Sequence, residues 1–179
     1  MVGLDIVTVY GPAVISNYWI YPDRDTKGCV KMRLNTKCSI ALHCLIFMAE
    51  YKDRVRVTSG LLAKSTGCNP VIIRNIMAAL QKEKVITGAR GVGGARLAAA
   101  PEELTLWQVF GAVEPGGLEH LIGMHPAPSE QCPVGRRISD VLAKPYGEIG
   151  AAVRERMEKI TLRQLLDDYR NGYEEGIGK

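Results

Sequence analysis

The tetrapeptide Gly67-Cys68-Asn69-Pro70 constrains this chain more than any other four residues. Glycine takes the left-handed conformation that closes a helix at no steric cost. Asparagine caps the next helix through its side-chain oxygen. Proline suits the first helical position, where its missing N–H needs no partner. Two helices joined by a tight turn are therefore predicted. On the N-terminal side, Thr58 caps a short helix over residues 59–66 whose apolar face is Leu61, Leu62 and Ala63. On the other side a longer helix runs to about Lys84, with Ile73, Ile76, Met77 and Leu80 recurring at helical spacing as its buried stripe. Pro70, Val71, Arg74, Asn75 and Ala78 lie opposite that stripe, a mixture suited to reading base edges. Residues 85–89 and 96–98 then read as two strands around the glycine-rich turn Arg90-Gly91-Val92-Gly93-Gly94. A short helix, a longer helix and a β-turn, in that order, are the plan of a winged helix-turn-helix.

Charge supports a polyanionic partner for this part of the chain. The total is only +4, but residues 32–100 carry eleven Lys and Arg against three Asp and Glu, whereas residues 101–179 carry nine against thirteen. A basic block followed by an acidic one suggests that the first meets nucleic acid and the second does not. Arg74 has the fork to donate two hydrogen bonds to guanine, and Asn69 or Asn75 can pair with adenine or sit on phosphate. Arg90 and Arg96 flank the turn, where a wing reaches a groove or the adjoining phosphates. Against these roles stand plainer ones: a solvated helix charge for Arg74 and a pure cap for Asn69.

The rest of the chain reads as a helical scaffold. Residues 1–31 sustain no periodicity and are expected to be a poorly structured extension, with the globular pattern opening at Met32. A first helix is expected over residues 36–51, a short strand over 55–57, and a fourth helix from Pro101 to Val113, its acidic residues in the favourable first turn. A loop-like stretch over residues 114–133 precedes a long helix from Val134 to about Lys159, with a kink or break at Pro145 and Gly147. A short last helix ends near Tyr169, and residues 170–179 form a polar tail. Residues 32–100 thus form a DNA-binding domain and 101–169 a helical dimerisation or sensor region. A long amphipathic helix outside a small domain usually needs a partner surface, most simply its own copy.

Other chemistries find little support. The glycine turn lacks a Gly-Lys-Ser/Thr ending and does not run from strand into helix, so it is not a nucleotide loop. Five cysteines, Cys29, Cys38, Cys44, Cys68 and Cys132, are widely spaced with no Cys-x-x-Cys, which fits reduced thiols in a cytoplasm better than a disulfide framework. No apolar run reaches membrane-span length, and the first twenty residues lack the basic start of a signal peptide. His43 falls inside the first helix. His120 and His125 lie near Glu130 and Cys132, a cluster more readily explained as loop residues than as a catalytic or metal site.

Several segments together resemble the IscR, NsrR and CymR (Rrf-type) family of bacterial winged-helix regulators. They are Met32-Arg33-Leu34-Asn35-Thr36-Lys37, Gly67-Cys68-Asn69-Pro70-Val71, Arg90-Gly91-Val92-Gly93-Gly94, Leu104-Thr105-Leu106 with Val113-Glu114, Cys132-Pro133-Val134-Gly135 and Ile160-Thr161-Leu162. The resemblance spans about residues 32–169. It implies a fold that is mainly α with a small β-wing, and a homodimer joined through long crossing C-terminal helices. It implies that double-stranded DNA is bound at a near-palindromic operator, with contacts mapping onto Val71, Arg74 and Arg90. Asn69, Asn75, Arg96 and Arg33 join them as candidates. The chain departs from cluster-binding members, which hold a [2Fe–2S] group with three loop cysteines, some adding a histidine three residues on. Here only Cys132 matches, Gly135 stands at the histidine position, and residues 117–131 contain no cysteine. One thiolate cannot hold such a cluster. The expectation is a cluster-free, YwnA-like or CymR-like repressor without cofactor, in the cytoplasm, answering to a protein or small-molecule effector. The alternatives are an iron–sulfur or thiol redox sensor using the loop around Cys132, and a helical interaction module without DNA affinity.

Overall fold

The computed structural model describes residues 36–88, 94–120, 122–124 and 126–177. The expected extension over residues 1–31, together with Arg33, Arg90 and the tip of the glycine turn, lies outside the described residues. In chain order the elements are α1 (Thr36–Tyr51), α2 (Ser59–Thr66), α3 (Pro70–Lys82), β1 (Ile86–Gly88), β2 (Ala95–Leu97), α4 (Leu106–Val113), a 3-10 turn (Gly117–His120), α5 (Gly135–Lys159) and α6 (Leu162–Ile177). Among the described residues the fold is thus mainly α with one small antiparallel ribbon.

The hydrophobic stripes meet in one core. Cys38, Ala41, Leu45 and Met48 of α1 face Leu62 of α2, Ile73, Ile76 and Leu80 of α3, Val109 and Phe110 of α4, and Leu162 and Leu166 of α6. Leu45, Leu62, Ile73, Leu80, Phe110, Leu162 and Leu166 are all below 2% exposed, so each contributes about 1.5–3 kcal/mol of burial. Met77, expected in the stripe of α3, is only partly buried.

The structure departs from the sequence expectation in four places. Helix α4 begins at Leu106 rather than Pro101, because Thr105 and Gln108 form a capping box: Thr105 Oγ1 accepts from the Gln108 N–H (3.2 Å) and Gln108 Oε1 from the Thr105 N–H (2.9 Å). The acidic pair Glu102-Glu103 lies in the turn before it. Helix α5 continues unbroken through Pro145; Pro145 and Val141 are both exposed, so the carbonyl freed by the missing N–H lies where water can serve it. Helix α6 runs to Ile177 instead of ending near Tyr169, held to α1 by Arg170 Nε donating to Glu50 Oε1 at 2.7 Å. Residues 55–57 form no strand, although the Val57 carbonyl accepts from the Ala95 N–H at 2.9 Å.

The starts of α4 and α6 are clasped. The Leu106 N–H donates to Ile160 O and the Leu162 N–H to Leu104 O, both at 2.8 Å, around an antiparallel bridge between Thr105 and Thr161. Thr161 repeats the capping box of Thr105, with Gln164 as its partner. Arg163 then reaches Glu102 at 2.6 Å. The chain leaving α4 must therefore return to the place it left. Helix α5, 25 residues and about 37 Å long, makes the return, with only Met157 buried near its end.

Two substitutions probe this packing with opposite signs in urea unfolding. Leu162→Ala lowers stability by about 2–5 kcal/mol. Lys84, just after α3, has φ of 56°. Lys84→Gly relieves about 1–2 kcal/mol of left-handed strain against about 0.5–1 kcal/mol of added chain entropy, so stability rises by about 0.5–1 kcal/mol. No gain would mean that Lys84 sits there without strain.

Candidate nucleic-acid interface

The turn between α2 and α3 forms as its residues dictate. Thr58 Oγ1 accepts the Leu61 N–H at 3.2 Å and starts α2. Gly67, at φ 66°, ends it, and the Cys68 N–H donates back to Ala63 O at 3.1 Å. Asn69 is extended and its Oδ1 accepts the Val71 N–H at 2.8 Å, with Pro70 in the first turn of α3. The cap occupies only the oxygen of Asn69. Its side-chain NH₂ keeps two donors for another partner.

Helix α3 presents two unlike faces. Ile73, Ile76 and Leu80 anchor it in the core, while Val71, Arg74, Asn75 and Ala78 are exposed on the other side. Val71 is 51% and Ile72 45% exposed, so a helix with polar neighbours also shows two branched apolar side chains to solvent. Ile72 is absent from the sequence reading. Its signal is the run Val71-Ile72-Ile73, of which only Ile73 fits the buried stripe.

The ribbon is fixed to this helix. Ile86 pairs with Leu97, Thr87 with Arg96 and Gly88 with Ala95. Gln81 Nε2 on α3 donates to Gly88 O at 3.2 Å. Gly94, at φ 69°, passes so close to Val57 that a Cβ would lie 3.0 Å from its N and O. Arg96 is exposed and lines, with Gln81, Lys84 and Thr87, the cleft between the ribbon and the C-terminal end of α3. Asn69, Val71, Arg74 and Asn75 therefore share the N-terminal half of α3, and Arg96 stands with its other end.

The basic block of the sequence surrounds the helix-turn-helix with unpaired cations. Arg54, Arg56, Lys64, Arg74 and Arg96 are exposed and have no carboxylate partner among the described residues. On α5 and α6, Arg154, Lys159, Arg163 and Arg170 are each bound to a carboxylate, while Arg136, Arg137, Lys144 and Arg156 of α5 are exposed without one among the described residues. Unpaired surface cations attract phosphates, whereas paired ones are already neutralised.

The candidate thiols are unlike one another. Cys38 and Cys44 are buried in α1. Burial pushes the Cys38 thiol up to about 11, with the Glu114 carboxylate adding to it, and the Cys44 thiol to about 12, with Cys68 adding to it. Cys68 is half-buried beside the turn. Cys132 is exposed before α5, in a turn where its N–H donates to Ser129 O at 3.1 Å. The same carbonyl would lie 2.3 Å from a Cβ placed on Gly135. His43 Nε2 lies 2.9 Å from Ser65 Oγ. His125 and the side chain of His120 lie outside the described residues. Among the described residues no three His, Cys, Asp or Glu gather as metal ligands, and no helix is long and apolar enough to cross a membrane.

A family model described as "Rrf2: Iron-dependent Transcriptional regulator" matches residues 34–168. YwnA of Bacillus subtilis (strain 168), named as an HTH-type transcriptional regulator, is 27% identical over 134 residues, which are 75% of this chain and 97% of YwnA. A structure described as that of a transcriptional regulator from Lactobacillus plantarum superposes with a TM-score of 0.63 at 27% identity, covering 75% of this chain and 89% of that one. IscR of T. potens shares the fold at a TM-score of 0.57 and 18% identity, over 76% of this chain and 88% of that one.

Thiol labelling followed by peptide mapping checks the cysteine geometry. At pH 8, iodoacetamide modifies Cys132 in the native protein and spares Cys38 and Cys44 until urea is added. Native labelling of Cys38 or Cys44 at the rate of Cys132 would contradict their burial.

Proposed function

The chain belongs to the Rrf2 family of transcriptional regulators, and from that premise we propose that it is a sequence-specific, homodimeric repressor that reads a near-palindromic operator through the exposed face of α3. The family binds DNA and is not one of enzymes. What supports the finer reading is a single arrangement: Arg74 and Asn75 stand exposed and unpaired on the helix that Asn69 caps, opposite the residues that anchor it. Arg74 donates to guanine, and Asn75 and the free NH₂ of Asn69 bond to base or phosphate. Val71, with Ile72 at its flank, packs against thymine methyl groups. Arg96, Arg90 and Arg33 contribute phosphate or groove contacts. The protein acts in the cytoplasm, where its thiols stay reduced.

A second copy supplies the other half of the reader. Val134, just before α5, and Val141 and Ile149 on it are 68%, 64% and 48% exposed, an apolar stripe on a helix otherwise rich in charge. Crossing with its symmetry mate covers that stripe and holds two α3 helices for successive turns of the major groove, about 34–36 Å apart.

The family description names iron dependence, but these residues do not fit a cysteine-held iron–sulfur cluster. Cys132 has no other cysteine in the loop before it. The turn is also closed: with Ser129 O 2.3 Å from where a Cβ on Gly135 would be, no side chain, and so no histidine ligand, enters there without backbone movement. Cys38 and Cys44 are committed to the core. A thiol response at Cys132 stands as the second reading, favoured by its exposure.

Selection of bound sequences from random DNA, followed by anisotropy titration at fixed salt, tests the reading. Arg74→Ala costs about 1–3 kcal/mol of specific affinity, roughly 5- to 150-fold, and relaxes preference at one position per half-site. Unchanged specific binding would remove Arg74 from the contacts. Val141→Glu yields monomers by analytical ultracentrifugation and loses high-affinity operator binding. A Val141→Glu dimer would place the interface elsewhere.

A further inference from the structure

A cleft of about 590 Å³ lies where α4, the Pro115–Leu118 turn and the last third of α5 meet. Trp107 of α4 is half-buried and stacked on Phe110, a fully buried core residue, at 5.8 Å between centroids. The Arg154 guanidinium stands 5.2 Å from the Trp107 ring centroid. Gly116, Gly117 and Gly150 line the space between without side chains, and the nearest atom to a Cβ on Gly150 is Leu118 Cδ1 at 4.0 Å. The result is an aromatic and aliphatic wall, a shallow floor open to a flat group, and one cation at the rim.

That cation is held in place but not exhausted. Arg154 Nε donates to Glu158 Oε1 at 2.8 Å, which fixes the side chain from one edge. The terminal NH₂ groups have no partner among the described residues, and they are the edge of the fork that binds a carboxylate bidentately. An open, largely apolar shelf with one convergent charged donor can seat one face of a small flat molecule. We propose that the cleft binds a small organic carboxylate with an aromatic or unsaturated body, its carboxylate on Arg154 and its apolar part against Trp107 and Leu118. The occupant is not a bare inorganic anion, because a single exposed and half-compensated arginine holds one only weakly. A neutral ring gains nothing from the guanidinium edge, which water already serves, so the carboxylate is the group that distinguishes this ligand.

The location gives the ligand a role that rests on the DNA-binding reading. Helix α4 packs on α1 and α3 on one side and on α5 on the other. A molecule wedged between α4 and α5 touches the joint between the reading helix and the arm that carries the second copy. The ligand is thus an effector that shifts operator affinity.

Binding is read without DNA from the indole N–H resonance of Trp107, assigned with Trp107→Phe, in the full chain. Benzoate and phenylacetate are expected to shift it saturably in the millimolar range or below. Benzamide, the uncharged counterpart of benzoate, and inorganic phosphate shift it at least tenfold more weakly. Arg154→Gln abolishes the carboxylate preference and Arg154→Lys restores part of it. No saturable shift, or equal responses to benzoate and benzamide, would overturn the site. Phosphate binding as tightly as benzoate would reduce it to an anion contact and overturn the ligand class. Saturating benzoate is then expected to change affinity for the selected DNA fivefold or more in the wild type and not in Arg154→Gln. Binding without that change overturns the effector role alone. Absence of DNA binding in every sample overturns the reading of α3 and leaves the NMR result standing.

Discussion

The rest of the molecule depends on the clasp between Leu104–Leu106 and Ile160–Leu162. Two backbone hydrogen bonds of 2.8 Å and two capping boxes fix the starts of α4 and α6 side by side. Each cap contributes about 1 kcal/mol, but the pair does more than add stability. It closes the loop of chain between them, so that residues 114–159 have no route except outwards and back. It also brings Leu162 and Leu166 against α1, which completes the core under the reading helix. The segment following the ribbon is therefore part of the same packed unit as the helix-turn-helix, and its side chains close the pocket in which Ile73 and Leu80 sit.

Charge is distributed to match that construction. Carboxylates of the C-terminal segments are used internally: Glu102 on Arg163, Glu158 on Arg154, and, from α1, Glu50 on Arg170. These exposed pairs contribute little individually. Around α2, α3 and the ribbon, Arg54, Arg56, Lys64, Arg74 and Arg96 have no carboxylate partner among the described residues. The field outside the reading helix is then set by cations that only a polyanion neutralises, and it weakens as salt rises.

Much of this was legible from local residue chemistry. Thr58, Gly67, Asn69 and Pro70 placed α2 and the start of α3 because a cap is a property of one or two residues. The bounds of α1 followed from its apolar spacing. The start of α4 was misplaced because two signals competed. The acidic pair at Glu102-Glu103 suggested a first turn, while the Thr105–Gln108 box, equally visible, decided it through two hydrogen bonds. The extent of α6 was not legible, since its outer part meets α1 through Arg170 and Glu50, 120 residues apart in the chain. Pro145 raises the expectation of a kink or break, and the helix nonetheless runs through it, because sequence alone does not say whether the freed carbonyl faces solvent. In the reading face, Arg74 and Asn75 were visible as the polar side of a stripe. Ile72 was not, since an exposed isoleucine carries the same letter as a buried one. The cleft at Trp107 joins residues 47 positions apart and had no sequence signature.

The proportions of α5 have a mechanical consequence. A stiff rod of about 37 Å that is seated only at one end converts rotation into displacement. Each degree of tilt at the seat carries the far end by about 0.6 Å, so five degrees move it by about 3 Å. Rearrangements too small to disturb the core, of the size of a rotamer change at Met157 or Val153, are thereby geared up to a sizeable fraction of one base-pair step. The glycines at the seat, Gly116, Gly117 and Gly150, leave room for that tilt. Control of where the distant end points thus resides in a few side chains around the pivot.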